Sequence, residues 1–444
     1  MLRSKPFGFT SPGSRQLGRA TLVTLVLHVV ACRENSTTAS TTPAPKTVIP
    51  SAANSANVAA AGANSAVVAA PTPTPAPTRT APLSAPPTDA QRAPPLEPGK
   101  GPFIVDEPAD VGPAGPASAH DNGIVLVDKT AKVALAKRGT LPSGTNPGTP
   151  TFTAIDRPRE DFLSFGRGPA LVGGFAYFIN QENLVRVRVG SNTEPEVLVK
   201  EARKGARVVG VEGPDGAPLI GFITRPDASG APHAKLWSNG KMHDLTPEGA
   251  GASSIALVTL PGSWLAITLD GRSGMTPLHV RKLTRDKPAS VALGPDVVAW
   301  VGASAQATTE VFAIANDSDA WAFVPIEQDV THFGLAQIHI GNEPRLDAPA
   351  HFLTYENGTN SAPVATGKLC GRAVVAFAEP DSAAPKAPQR LMLAAVGANG
   401  LETGEVIARG RAFANVSLAP SASGALLSYT ADHRTWARSL RCRA

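Results

Sequence analysis

The chain is poor in the residues that usually announce chemistry. It has 444 residues but only three cysteines, Cys32, Cys370 and Cys442, and aromatic residues make up 5% of it. No CxxC pair and no zinc-ligand spacing occurs, so the thiols do not read as a metal site. There is no GxSxG elbow, no HExxH and no Walker-type phosphate loop; Thr366-Gly367-Lys368-Leu369 lacks both the upstream glycine and the following hydroxyl. No segment sustains a 3.6-residue apolar period, which argues against a helical domain. No apolar run reaches the roughly 20 residues that a membrane-spanning helix needs. No basic patch of the kind that grips nucleic acid is present. No cofactor, metal or catalytic residue is therefore assigned from the sequence.

What is present begins at the amino terminus. Arg3, Lys5, Arg15 and Arg19 precede an apolar run, Ala20 to Ala31, and no acid accompanies them. A basic head, a short apolar stretch and a small residue form an export signal. Val29-Val30-Ala31-Cys32 at its end resembles the lipobox of bacterial lipoproteins. That resemblance implies that residues 1–31 are a signal peptide and that Cys32 becomes the acylated first residue. Two or more acyl chains give stable anchoring without a span. The implied address is the cell envelope, as a lipid-anchored membrane protein. Arg33 rather than Asp follows the cysteine, which favours the outer membrane of a Gram-negative cell. The alternatives are a retained anchor or a plain secretory signal.

The net charge of +5 is mostly the leader's. Removing its four basic residues from the 41 in the chain leaves 37 against 36 acidic ones.

Residues 32–120 are rich in Ala, Pro, Thr and Ser, as in Pro71-Thr-Pro-Thr-Pro-Ala-Pro77, with Phe103 the lone aromatic. Such a composition buries too little apolar surface to offset chain entropy, so a disordered tether is expected there. Its alternating prolines bias it to extended polyproline II.

Residues 121–444 read as short β runs punctuated by Gly, Pro, Asn and Asp. Asn183 to Val189 alternates apolar with polar or basic side chains, the pattern of a half-buried strand. A loose repeat follows. Val208–Val211, the turn Gly213-Pro-Asp-Gly216, Leu219–Thr224 and Ala234–Trp237 form one unit. Ser254–Val258, Trp264–Thr268 and Pro277–Leu283 form another, and Asn415–Pro420, Ala425–Thr430 and Trp436–Leu440 a third. A period of 40–55 residues with three or four strands per unit marks a β-propeller. Six blades are expected, with seven left open, and a pair of β-sandwiches is the rival fold. The strand at Ile124–Val127, or the next one, is expected to complete the last blade and remove an exposed edge.

Leu236-Trp237, Asn239-Gly240 and Leu245-Thr246-Pro247, and the span Ser417 to Thr430, resemble the TolB-type propeller family. The resemblance implies a propeller that offers a binding surface to a partner protein.

Cys370 and Cys442 remain as a pair in an oxidising compartment, where a disulfide would persist; two buried free thiols are the alternative. Asn316-Asp317-Ser318-Asp319 and Gly271 to Gly274 read as turns. His332, His339 and His351 are close in sequence, but the first two face opposite sides of one strand. Trp237, Trp264, Trp300, Trp321 and Trp436 are spread through the units and suit blade packing. The leading expectation is a binding module for a protein or an envelope polymer. An enzyme acting on envelope glycans or peptides is the alternative, with Asp215, Asp270, Asp296 and Asp432 as candidate carboxylates.

Overall fold

The computed structural model describes residues 94–444, except 121–122, 129–132, 138–141, 143–145, 154–166, 192, 271–274, 304–309, 328–331, 347, 357–363, 383–386, 422–423 and 444. The signal segment, Cys32 and most of the expected tether lie outside the described residues, as does the expected turn at 271–274.

Described in chain order, β1 (Phe103–Val105) and β2 (Ala109–Pro113) come first. A three-stranded sheet follows: β3 (Ala117–His120), β4 (Gly123–Val127) and β5 (Val133–Lys137). The second sheet is β6 (Ala170–Val172), β7 (Phe175–Asn180), β8 (Asn183–Arg188) and β9 (Glu196–Lys200). The third is β10 (Val209–Glu212), β11 (Pro218–Ile223), β12 (Ala234–Ser238) and β13 (Lys241–Asp244). The fourth is β14 (Ser254–Leu260), β15 (Ser263–Leu269), β16 (Met275–Arg285) and β17 (Val291–Ala303). The fifth is β18 (Phe312–Asn316), β19 (Asp319–Glu327), β20 (His332–Gly341) and β21 (Ala350–Glu356). The sixth is β22 (Val364–Leu369), β23 (Arg372–Pro380), β24 (Gln389–Gly397), β25 (Gly400–Leu401) and β26 (Glu405–Gly410). The last holds β27 (Ala414–Ser421), β28 (Gly424–Ala431) and β29 (Arg434–Cys442), joined by β1 and β2.

Each sheet is an antiparallel meander, and the first strands of successive sheets lie side by side until β27 returns to β3. This is the expected all-β propeller. Six blades carry four or five strands, and the sheet β3–β5 contributes three more to the ring.

Local sequence explains the meanders. The two-residue turn Asn239-Gly240 has φ of 46° and 77°. Positive φ at both positions gives the turn whose twist matches that of paired strands, and Asn-Gly adopts it at little cost. Cys370-Gly371 turns the same way between β22 and β23, at 56° and 74°. The second strand of each unit is the apolar one, as expected. All seven residues of β15 are buried.

The core is not one mass but a series of apolar layers between neighbouring blades. Leu265, Ile267 and Leu278 of the fourth blade meet Val311, Ala322 and Ile338 of the fifth. Leu426 and Ala437 of the last blade meet Val111, Ile124 and Leu126. Such blades bury both faces only by stacking. The tryptophans pack in these layers: Trp237, Trp264, Trp300 and Trp321 are buried. Trp264 and Trp321 both lie on the second strand of their blades but one register step apart, while Trp237 is on a third strand and Trp300 on a fourth, so the repeat has no shared tryptophan position.

Two expectations about the amino-terminal part are corrected. The tether was expected to run to residue 120, but residues 103–120 contribute three strands to the ring. Ile124–Val127 was expected to complete the last blade, but it lies in the sheet β3–β5. Closure instead comes from β1 and β2, which both pair with β29. Phe103 stands opposite Cys442 and Val105 opposite Leu440, while Ala109 faces Ala437 and Pro113 faces Arg434. The physical reason is register and burial: Phe103, Ile104, Val105 and Val111 each bury their side chains, a short apolar set that average composition conceals.

Ahead of β1, the chain lies along the sixth blade. Leu96 accepts from Val406 N–H and donates to the Gly404 carbonyl, both at 2.9 Å. The Gly99 N–H donates to Glu405 Oε1 at 2.5 Å. A Cβ on Gly101 would fall 2.0 Å from Glu405 Oε2, so a larger residue there would displace the Glu405 carboxylate. Burial pushes the Glu405 carboxyl above its usual range, against the opposing pull of the Gly99 and Gly101 N–H groups.

Cys370 and Cys442 form a disulfide with Cα atoms 5.6 Å apart and a sequence separation of 72. It joins the β22–β23 turn to the end of β29, fastening the sixth blade to the last. A cross-link over a loop this long stabilises mainly by restricting the unfolded chain. Replacing both cysteines with serine is expected to lower stability by about 2–4 kcal/mol. The measurement is the urea midpoint of oxidised wild type against the double variant; an unchanged midpoint would refute the cross-link's role.

Candidate functional site

The first strands of all seven sheets enclose a central channel with a cavity of about 870 Å³. That size suits a small ligand or an inserted peptide segment. Its wall is fixed at every junction between blades. Ser118 Oγ donates to the Pro169 carbonyl at 2.6 Å, joining β3 to the second blade. Ser417 Oγ accepts from Ala119 N–H at 2.9 Å, closing the last blade on the first. Ser254 Oγ accepts from Val311 N–H at 3.0 Å, and Thr366 Oγ1 donates to the Ala313 carbonyl at 2.9 Å. Trp264 Nε1 donates to the Glu212 carbonyl at 2.9 Å between the third and fourth blades.

At the two remaining junctions a glycine lies against side chains of the neighbouring blade. A Cβ on Gly210 would sit 2.7 Å from Val172 Cγ2, and one on Gly367 would sit 2.8 Å from Leu418 Cδ2. An added methyl at either position would crowd those side chains and force them to shift. Thr366-Gly367-Lys368 is thus a wall of the channel, and its glycine serves packing.

The inner strands run in one direction, so their starts gather at one mouth and their ends at the other. At the starts stand Arg167, Arg207 and Glu310. Arg167 reaches from the second blade to Glu310 before the fifth, donating Nε to Oε1 at 3.0 Å, with Nη2 at 2.9 Å. Arg207 extends from the third blade towards the fifth, where Nη1 donates to the Val311 carbonyl at 3.3 Å. Its guanidinium carbon lies 4.4 Å from the centroid of the Phe312 ring, a cation–π contact. Burial lowers the pKa of the Arg207 guanidinium; Glu310 opposes that shift and Arg167 adds to it. At the opposite mouth stand His120, Glu212 and Lys368.

Arg167, Arg207 and Glu310 were not singled out from the sequence. The signal was slight: two of them immediately precede the apolar runs Val208–Val211 and Val311–Ala315. A charged residue at the start of an inner strand must face the mouth.

The four carboxylates weighed for catalysis are not brought together, and none lines the channel. Asp215 sits in the turn between β10 and β11, bonded to Arg285 Nη2 at 2.8 Å and to the Ala289 N–H. Asp270, buried after β15, accepts from Gly251 N–H at 3.1 Å. Asp296 on β17 lies 2.7 Å from His279 Nδ1. Asp432 has φ of 49° in the β28–β29 turn. These are four positions on three blades. The histidines lie on the fifth blade: His332 and His339 on β20, His351 on β21. His339 stacks on Trp321 with ring centroids 4.6 Å apart and places Nε2 3.1 Å from Asp319 Oδ2. Asp317-Ser318 forms the expected turn between β18 and β19.

No protein-family model matches the chain, and no curated protein matches it. Among solved structures, the amino-terminal domain of Nup159 is similar at 8% identity, over 76% of this chain and 95% of that one, with a TM-score of 0.43. An Aleuria aurantia lectin solved with Fucα1-6GlcNAc is similar at 10% identity, over 60% and 90%, with a TM-score of 0.38. TolB from Acinetobacter baumannii is similar at 11% identity, over 77% and 82%, with a TM-score of 0.31. Overlaps this loose do not bear on what this chain binds.

Proposed function

We propose that this protein is a lipid-anchored binding module of the bacterial cell envelope. In this reading Cys32 carries the acyl chains, and the Ala/Pro/Thr/Ser-rich segment spaces the ring from the membrane. The propeller then engages a partner protein or an envelope polymer. The observation that supports it best is the channel: a wall contributed by every blade and fixed at every junction, open to ligand, with a different set of charges at each mouth. A preorganised surface loses little entropy on binding, which is what a tethered receptor needs.

Two measurements test it. Metabolic labelling with a palmitate analogue should mark the protein, and Cys32→Ser should abolish both the label and sedimentation with membranes; an unlabelled wild type would remove the anchor. Affinity capture from cell envelopes, with the full chain as bait, should return a reproducible partner or polymer. The return should fall when the channel mouth is altered by Arg167→Glu; equal recovery by both baits would place binding away from the channel.

A further inference from the structure

We infer that the channel mouth at the starts of the inner strands is a binding site for a carboxylate on a short aliphatic body, with Arg207 as the principal donor. The inference deepens the binding-module reading and rests on it.

The argument begins with the hydrogen-bonding capacity of Arg207. A guanidinium has five N–H donors in a rigid fork. One face of Arg207 is covered by the Phe312 ring, and Nη1 is directed to the Val311 carbonyl. The edge formed by Nε and Nη2 has no partner among the described residues, although the side chain is half-buried in the channel wall. That edge is the one that receives a carboxylate through two parallel hydrogen bonds. Among the described residues the site is also short of negative charge: Arg167 and Arg207 face a single acid, Glu310, which Arg167 already engages. A bound anion would restore balance where water is partly excluded and each charge counts for more.

The body of the ligand follows from the wall beyond Arg207. Leu171, Ala313 and Leu418 line the channel there, each partly buried against the apolar layers between blades and partly open to the channel. They offer apolar surface to a few methylenes, not a second charge. The fork pairs with carboxylate and phosphate alike, but the single charge of a carboxylate balances the one excess positive charge at this mouth, which a phosphate carrying about two at neutral pH would exceed.

The test uses the full chain in detergent micelles, labelled at arginine Nε, and follows the Arg207 resonance by NMR. The probes are sodium acetate, sodium hexanoate, hexanamide, methyl phosphate and, at matched ionic strength, sodium chloride. A saturable shift is expected with hexanoate, at a dissociation constant at least tenfold below that of acetate, and none with hexanamide or chloride. Arg207→Gln should abolish saturation, judged by other resonances. Glu310→Gln should tighten hexanoate binding about threefold or more, a gain that misfolding cannot imitate. Equal shifts with chloride, tighter binding of methyl phosphate than of acetate, or weaker binding by Glu310→Gln would each overturn the inference. The outcomes also separate the two readings. A captured partner with a silent Arg207 leaves a binding module that uses another face. Hexanoate binding with an empty capture leaves a small-molecule site without the envelope partner.

Discussion

A chain beginning at residue 121 is expected to lose the cooperative fold, whereas a chain beginning at residue 94 should unfold at the temperature of the full protein. The shorter chain lacks β1 and β2, so β29 would expose an unpaired edge, and it lacks β3, the inner strand of its own sheet. It also removes Phe103, Ile104, Val105 and Val111, all buried. Each such side chain contributes about 1.5–3 kcal/mol when taken out of water. Four of them together rival the whole stability of a typical domain, about 5–15 kcal/mol. Circular dichroism melts of the three chains make the comparison. Limited proteolysis with amino-terminal sequencing supplies a second check, since the resistant core should start close to residue 94. A cooperative melt of 121–444 matching the full chain would refute this role for the closing strands.

Asp106→Ala is the single substitution expected to cost most, about 3–5 kcal/mol, because it strands a charge. Asp106 is fully buried beneath β29 and holds Arg441 through two hydrogen bonds, Nη2 to Oδ1 at 2.7 Å and Nε to Oδ2 at 2.9 Å. Its Oδ1 also accepts from Gly148 N–H at 3.1 Å. Arg441 in turn donates to the Asn146 carbonyl at 2.8 Å. Removing the carboxylate leaves a guanidinium with only 7% of its side chain exposed. Adding Arg441→Met to Asp106→Ala should recover much of the loss, since an apolar pair no longer carries a desolvated charge. Chemical denaturation of wild type, both single variants and the double variant measures this. A double variant no more stable than Asp106→Ala would mean that the cost lies in packing rather than in charge.

Both predictions concern one place, the seam where the ring closes. Three independent devices meet there: strands β1 and β2, the Asp106–Arg441 pair and the Cys370–Cys442 bridge. Pairing β1 and β2 with β29 covers that strand's edge and ties the last blade to the beginning of the ring.

The repeating architecture was legible because it is local. Period-two alternation, Asn-Gly turns and apolar second strands need only neighbours in sequence, so the units at 208–237, 254–283 and 415–440 could be read directly. The closing strands could not. Phe103-Ile-Val105 is three residues long and sits after a proline-rich stretch whose composition argues for disorder. It becomes a strand only because β29, more than 300 residues away, offers it a hydrogen-bonding edge and an apolar slot. The same holds for the candidate site. Arg167, Arg207 and Glu310 are 40 and 103 residues apart along the chain and meet only because their inner strands start at one mouth. The four aspartates, attractive as loop carboxylates, were dispersed by the same ring geometry.

The sequence by itself determined that this protein is built from repeated antiparallel strand units, because strand alternation and turn chemistry act over a few residues. Which strand closes the ring and which charges share the channel mouth were decided by the tertiary structure. Those relations depend on burial and edge pairing between segments that sequence distance keeps apart.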